Sequence, residues 1–241
     1  MTYRLALRIH RFKQGGTPHF DTFQVEVPDD ANVLDAIERA WDDQDRTLTF
    51  RHACHHASCG SCGLRVNGRE KLPCVTPVSD YGNGATLTIE PMRNFPVVAD
   101  LVVDTSALYE KMQLAQAPID REAESLHADG KEVYPPGLAE FNRFENCIEC
   151  GLCLSACPSM ATDPNYLGAA AIRGAERALA QGQADRPALL QLLDDDHALW
   201  RCHSAWECTA VCPSSVFPAE AIMGMRRAVI WNKIKRLFGV K

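Results

Sequence analysis

No apolar run in the 241-residue chain approaches the ~18–20 residues that cross a bilayer, so no transmembrane helix is expected. The opening stretch, MTYRLALRIHRFKQGGTPHFDTFQV, lacks the apolar core of a secretory leader, and the expectation is a chain that stays in the cytoplasm. There is no excess of positive charge either. The formal net charge is −6, which argues against nucleic acid as a partner. Low-complexity tracts are absent. The remaining balance, 46% apolar and 23% charged, is that of a soluble chain long enough for one large or two ordinary domains with real cores. What the chain does not lack is cysteine. It has eleven, and an odd number cannot close into a complete set of disulfides, which a reducing compartment would not favour in any case. The cysteines fall in clusters, and clustered cysteines in such a chain point to metal.

Residue patterning divides the chain in two. YRLALRIHRF alternates apolar residues at Tyr3, Leu5, Leu7 and Ile9, the period of a half-buried strand, and FQVEV repeats it after a Gly-Gly-Thr-Pro turn, which predicts a hairpin. NVLDAIERAW places Val33, Leu34, Ile37 and Trp41 on one helical face behind Asp29, Asp30 or Asn32 as N-cap. GLRVNGRE predicts a short strand entering an Asn-Gly turn, and TLTIEP a last strand. This order suits an α+β start, a β-grasp ferredoxin-like domain over 1–104. The second domain, 105–241, is expected to be helical, with helices at Ser106–Gln116, Leu167–Gln181, Pro187–Trp200 and Ala219–Phe238 and an irregular connection over about 117–136.

The first cysteine group is Cys54, Cys59, Cys62 and Cys74, spaced C-x4-C-x2-C with a distant fourth, the plant-type [2Fe–2S] pattern. Four thiolates converging on two irons require a tightly curled loop, for which Gly60 and Gly63 offer permissive backbone and whose N–H groups can point at the sulfurs. Zinc also takes four thiolates, but usually through paired C-x2-C units. A Rieske centre needs two histidine ligands; His52, His55 and His56 stand nearby, yet four cysteines leave them unneeded, and they read as exposed loop residues.

The second group, CIECGLCLSACP, is a complete C-x2-C-x2-C-x3-C-P run through Cys147, Cys150, Cys153 and Cys157, the signature of a bacterial ferredoxin. The third, CHSAWECTAVCP, repeats it with Cys202, Cys208 and Cys212, but Ala205 stands where a cysteine would complete it. In two-cluster ferredoxins the fourth cysteine of a run serves the other cluster. With that crossover a [4Fe–4S] cluster takes Cys147, Cys150, Cys153 and Cys212, while Cys157, Cys202 and Cys208 face an alanine methyl. Three thiolates suit [3Fe–4S]; the alternative is a [4Fe–4S] cluster whose fourth iron binds water or another group. Sets of four, four and three use all eleven cysteines.

The chain resembles the iron–sulfur subunit of succinate dehydrogenase and fumarate reductase, respiratory complex II. The resemblance extends over nearly the whole chain, and the stretches that carry it are LTFRHACHHASCGSCGLRVNG, PVVADLVVD, CIECGLCLSACPS, YLGAAAIR and RCHSAWECTAVCP. The resemblance implies a flavoprotein partner that oxidises succinate at FAD, single-electron relay through [2Fe–2S], [4Fe–4S] and [3Fe–4S], and delivery to a quinone at a membrane-anchor cytochrome b partner, reversible as fumarate reduction. It requires no general acid or base from this chain. It also implies a quinone site beside Pro158, Ser159, His203 and Ala205. A tryptophan that helps bind quinone in many ubiquinone-using members would fall at Thr162, so menaquinone, or a pocket displaced into the anchor, is the expectation. Trp206 could stand in for it, although a buried packing role is the favoured reading; His203 is divided between a local hydrogen bond and a quinone-side role.

The tail AIMGMRRAVIWNKIKRLFGVK has six basic residues and no acid, so the net −6 divides into +6 here and −12 elsewhere. Ile222, Met225, Val229, Ile230, Ile234 and Leu237 recur at helical spacing, which suits either a terminal helix packed on its domain or a basic amphipathic end at the cytoplasmic face of a membrane. Two rivals fit less well. Iron–sulfur subunits of the glycolate-oxidase and heterodisulfide-reductase kind commonly have two complete cysteine runs, and a free ferredoxin-like carrier has no use for the helical insert or the tail. A soluble fumarate reductase that draws on thiols would keep this subunit and replace the anchor.

Overall fold

The computed structural model describes residues 1–117, 146–180, 182 and 184–239. Beyond Ala117, the expected connection over 118–136 lies outside the described residues.

Strands β1 (Thr2–Arg11) and β2 (His19–Pro28) form the predicted antiparallel hairpin, in register from Thr2 opposite Pro28 to Arg11 opposite His19. Helix α1 (Val33–Asp43) begins at Asn32, whose side chain accepts from the Asp35 N–H while Asp35 accepts from the Asn32 N–H, a reciprocal capping box. β3 (Leu64–Val66) turns through Asn67 and Gly68, both at positive φ, into β4 (Arg69–Lys71), and β5 (Thr86–Glu90) runs parallel to β1. The mixed sheet has the order β2-β1-β5-β3-β4. The inward residues of the hairpin and of β5, among them Leu5, Leu7, Ile9, Val25, Leu87 and Ile89, bury Val33 and Ile37 of α1 in the first core.

A two-stranded ribbon, β6 (Val97–Ala99) with β7 (Val102–Val103), was not foreseen, because strands this short show no alternation. Its turn is held to the hairpin by Asp100, which is fully buried, adopts φ 43°, accepts from the Phe12 and Thr49 N–H groups and from Lys13 Nζ at 2.9 Å, and forms an ion pair with Arg11 Nε at 3.3 Å. Burial alone would raise the Asp100 pKa, but Lys13, the two N–H donors and Arg11 outweigh it and leave the group below its ordinary value.

The second half is helical: α2 (Ser106–Leu114), α3 (Leu152–Ser155), α4 (Pro158–Thr162), α5 (Ala169–Ala180), α6 (Arg186–Leu193), α7 (Glu207–Ala210) and α8 (Pro218–Leu237). The helix expected over 187–200 stops at Leu193. The Asp194-Asp195-Asp196 run follows, the Asp195 side chain accepts from the His197 N–H, and a 3₁₀ turn at Leu199–Arg201 leads into Cys202. The terminal helix divides. Pro218, Ala219, Ala221, Ile222, Met225 and Val229 are buried, whereas Ile230, Trp231, Ile234, Leu237 and Phe238 are exposed. The second core joins the halves: Leu34, Cys62, Cys74, Met92 and Phe95 pack in one cluster with Leu152, Leu154, Tyr166 and Ile222.

Candidate metal centres

The Cys54–Cys62 loop curls as four converging thiols require, although the strain is spread more widely than over its glycines. His55, Ala57 and Gly60 all have φ near +60°. Gly63 does not adopt positive φ; it is needed for space, since a Cβ there would lie 3.2 Å from Leu152 Cδ2 and 3.3 Å from the Cys150 carbonyl. The Ser58 and Cys59 N–H groups donate to Cys54 Sγ at 3.2 and 3.3 Å, and the loop N–H groups, His56 first, lower the Cys54 pKa to about 7. Cys62 and Cys74 are buried with their sulfurs 3.4 Å apart, and burial pushes the Cys62 thiol up to about 12. His56 turns to the Cys54 carbonyl, and His52 and His55 face Glu38 rather than the thiols.

Cys147, Cys150, Cys153 and Cys212 line one cavity with apolar walls from Ile148, Ala170, Val216 and Pro218. Burial raises the pKa of the Cys147, Cys150 and Cys153 thiols, Cys150 to about 11, and the charge of the neighbouring cysteines adds to it. Thiolates crowded into an apolar chamber are costly unless a cationic group neutralises them, so this donor set fits an iron–sulfur cluster. The first loop presses directly on this one. A Cβ on Gly60 would meet Cys150 Cβ at 2.7 Å and the Ile148 carbonyl at 2.9 Å.

Cys157, Cys202 and Cys208 line a second cavity together with Tyr166, Pro158, Ser159, His203, Ala205 and Trp206. Burial, then the charges of Cys157 and Cys202, raise the Cys208 thiol to about 12, the same crowding that fits a cluster, and Cys208 is near enough to act on Cys153 of the neighbouring set. Pro158, His203 and Ala205 are exposed, whereas Ser159 is buried and donates to the Arg201 carbonyl at 3.1 Å. Trp206 corrects the packing reading. It takes φ +63° as it leads into α7, and the residue is 45% exposed where it lines the cavity. The His203 ring makes no hydrogen bond among the described residues. Thr162, where a tryptophan was sought, accepts from Arg201 at 2.9 Å on the exposed side.

Several residues that hold these loops were not singled out from sequence. Tyr166 is completely buried with its phenol among Cys202, Cys157 and Cys208; burial first and then these thiols raise its pKa. Arg226 of α8, one of the six basic residues of the tail, turns inward: its Nη2 donates to the carbonyls of Leu199 (2.8 Å) and Cys202 (2.5 Å), and its Nη1 to Ser204 Oγ (3.4 Å). Lys233 pairs with Asp194 at 2.7 Å. Asn94, at φ 63°, donates to the carbonyls of Leu154, Ser155 and Cys157, and the Glu70 carboxylate, only 4% exposed, accepts from Ser155 Oγ and Arg93. The signal for Tyr166 was present in YLGAAAIR. The carbonyls that Asn94 binds, and Ser155 on Glu70, lie sixty or more positions away, where no local pattern reaches.

A thiol-rich loop on a mixed sheet, joined to a helical half with two further cysteine sets, defines an iron–sulfur electron carrier. Residues 6–110 match the family model of the 2Fe-2S iron-sulfur cluster binding domain, and 143–216 that of the 4Fe-4S dicluster domain. The chain is 37% identical to the fumarate reductase iron-sulfur subunit of Mycobacterium tuberculosis over 98% of its own length and 97% of the relative's. It is 30% identical to the mitochondrial succinate dehydrogenase [ubiquinone] iron-sulfur subunit of Dictyostelium discoideum over 93% and 82%. Among solved structures, a chain of the Mycobacterium smegmatis Sdh1 complex in the apo form superimposes with a TM-score of 0.81 at 30% identity, covering 97% of this chain and 98% of that one. The chain therefore belongs to the iron–sulfur subunits of succinate dehydrogenase and fumarate reductase.

Proposed function

We propose that this chain is the electron conduit of a succinate:quinone oxidoreductase, with its two domains divided near residue 104. Cys54, Cys59, Cys62 and Cys74 hold [2Fe–2S]; Cys147, Cys150, Cys153 and Cys212 hold [4Fe–4S]; and Cys157, Cys202 and Cys208 hold [3Fe–4S]. The clusters, when bound, accept and pass single electrons between the FAD of a flavoprotein subunit and a quinone at a membrane-anchor cytochrome b subunit, in either direction. The chain's own work is to hold the three sets in contact, exclude water from the inner two and aim N–H groups at sulfur.

The observation that carries this reading is the sorting of the cysteines. Cys212 lies with Cys147, Cys150 and Cys153, and Cys157 lies with Cys202 and Cys208, with Ala205 on the wall of the three-thiol cavity. The exposed lip of that cavity, formed by Pro158, His203, Ala205 and Trp206 above the buried Ser159, is our candidate for the quinone side, and Thr162 in place of a tryptophan favours menaquinone. Among the described residues no helix is long and apolar enough to cross a membrane. The exposed Ile230, Trp231, Ile234, Leu237 and Phe238, beside Arg227, Lys235 and Arg236, support attachment to an anchor subunit at the cytoplasmic face.

The test is purification of a tagged chain from detergent-solubilised membranes. Recovery with an FAD-bearing flavoprotein and an anchor subunit, and reduction of the clusters by succinate, are the expected results. Recovery of the loaded chain alone, with clusters inert to succinate, contradicts the proposal.

A further inference from the structure

Glu38 of α1 meets the segment that enters the first cysteine loop. Its Oε1 lies 3.2 Å from His52 Nδ1 and 3.5 Å from His55 Nε2, and the two ring nitrogens are 3.0 Å apart. A cation bonded at ~2.0–2.2 Å to three such donors with tetrahedral angles spaces them about 3.3–3.5 Å apart, close to this triangle. Glu38 Oε1 is buried and makes no hydrogen bond despite its two close neighbours. An unpaired carboxylate oxygen shielded from water is an unfavourable state. One cation at the centre of the triangle bonds all three donor atoms at once.

The rings are held in place from behind. His52 stacks on Phe50 at 5.2 Å and 22°, Phe50 meets Trp41 edge-on at 6.4 Å, and His55 stands perpendicular to His52 at 5.1 Å. His55 has φ +59°, a conformation uncommon for a side-chain-bearing residue. The remaining side opens into a cavity of about 680 Å³ lined also by Asp35 and Asp42, which leaves a coordination position for water.

We propose that Glu38, His52 and His55 form a divalent transition-metal site, distinct from the three cysteine sets, that clamps the approach to Cys54 onto α1. Two imidazoles and one carboxylate select borderline cations of the zinc class over magnesium or calcium, which take all-oxygen shells. Because His55 adjoins Cys54, occupancy fixes the backbone on the entry side of the first loop.

Zinc titration of the full-length chain carrying its clusters, read by metal content and by absorption at the zinc edge, tests this without interference from iron. The expected result is one tightly held zinc per chain, with nitrogen and oxygen ligands at about 2.0–2.1 Å and no sulfur at about 2.3 Å. E38Q and H52N should each weaken zinc binding at least about tenfold, with iron content unchanged, which shows that the variants fold. A zinc–sulfur shell, no retention at equimolar zinc, or unchanged affinity in E38Q and H52N would overturn the site; in the last two cases the triangle is a histidine–carboxylate ion pair.

Discussion

The first and third cysteine sites solve the same problem by opposite means. The first is local: three of its four thiols sit within nine consecutive residues, the loop's own N–H groups point at Cys54, and Cys59 is exposed. The third is assembled from afar. Cys157 follows α3, Cys202 ends a 3₁₀ turn, Cys208 lies on α7, and the loop between them is fastened by Arg226 of α8. A local loop carries its own tuning and can be recognised from spacing. An assembled one depends on side chains elsewhere, so distant substitutions should damage it while leaving the first intact.

That contrast can be broken in a graded way. Arg226→Ala strips donors from the Leu199 and Cys202 carbonyls and should cost about 3 kcal/mol; the signal of the third site should be lost while that of the first persists. Arg226→Lys should rescue little, because a single ammonium cannot reproduce the fork. Equal loss of both signals would show that the third site has no separate dependence. Gly60→Ala acts where the first two loops touch. Its positive φ and the 2.7 Å approach to Cys150 Cβ predict a cost of about 2–3 kcal/mol, read as a lower Tm together with slowed transfer between the first two sites. Asn94→Ala frees the carbonyls of Leu154, Ser155 and Cys157 and should cost about 1–2 kcal/mol, with chelators removing iron from the third site faster than from the first.

The smallest effect is a pH dependence confined to the helical half. Asp163 and His197 lie 2.7 Å apart; the hydrogen bond between them raises the histidine pKa and lowers that of the carboxylate. A raised histidine stabilises fully below its unfolded value and loses the effect as pH climbs through its folded one. A depressed aspartate stabilises fully above its unfolded value and loses the effect as pH falls. The pair thus acts in full between about pH 4 and about pH 6.5. The Tm difference between the wild type and His197→Gln should be greatest in that window and shrink on either side; a flat difference would remove the pair from the account.

The comparison also explains what could be read from residues alone. The hairpin, α1 with its Asn32 cap, the Asn-Gly turn and the terminal helix are encoded over a few neighbours, and their patterns appear in the chain. The β6–β7 ribbon is too short to show a period, and the Asp194–Asp196 break looked like a helix surface. Arg226 counts only as tail charge because nothing within its own turn says that it faces two carbonyls, and nothing beside Trp206 in the chain says whether it packs or faces outward. Asp100, Asn94 and Glu70 could not be read at all, since each is a polar residue whose meaning lies in a partner reached only through the fold.

The central claim is that Ala205 leaves the third site one ligand short. Electron paramagnetic resonance of the purified, oxidised complex tests it most directly, because an oxidised [3Fe–4S] cluster is paramagnetic whereas oxidised [2Fe–2S] and [4Fe–4S] clusters are not. The account predicts a signal before any reductant is added, equal in spin to the chain concentration and changed by dithionite, and its loss in Ala205→Cys. A fully iron-loaded sample that stays silent until reduced would contradict it and place four irons at the third site.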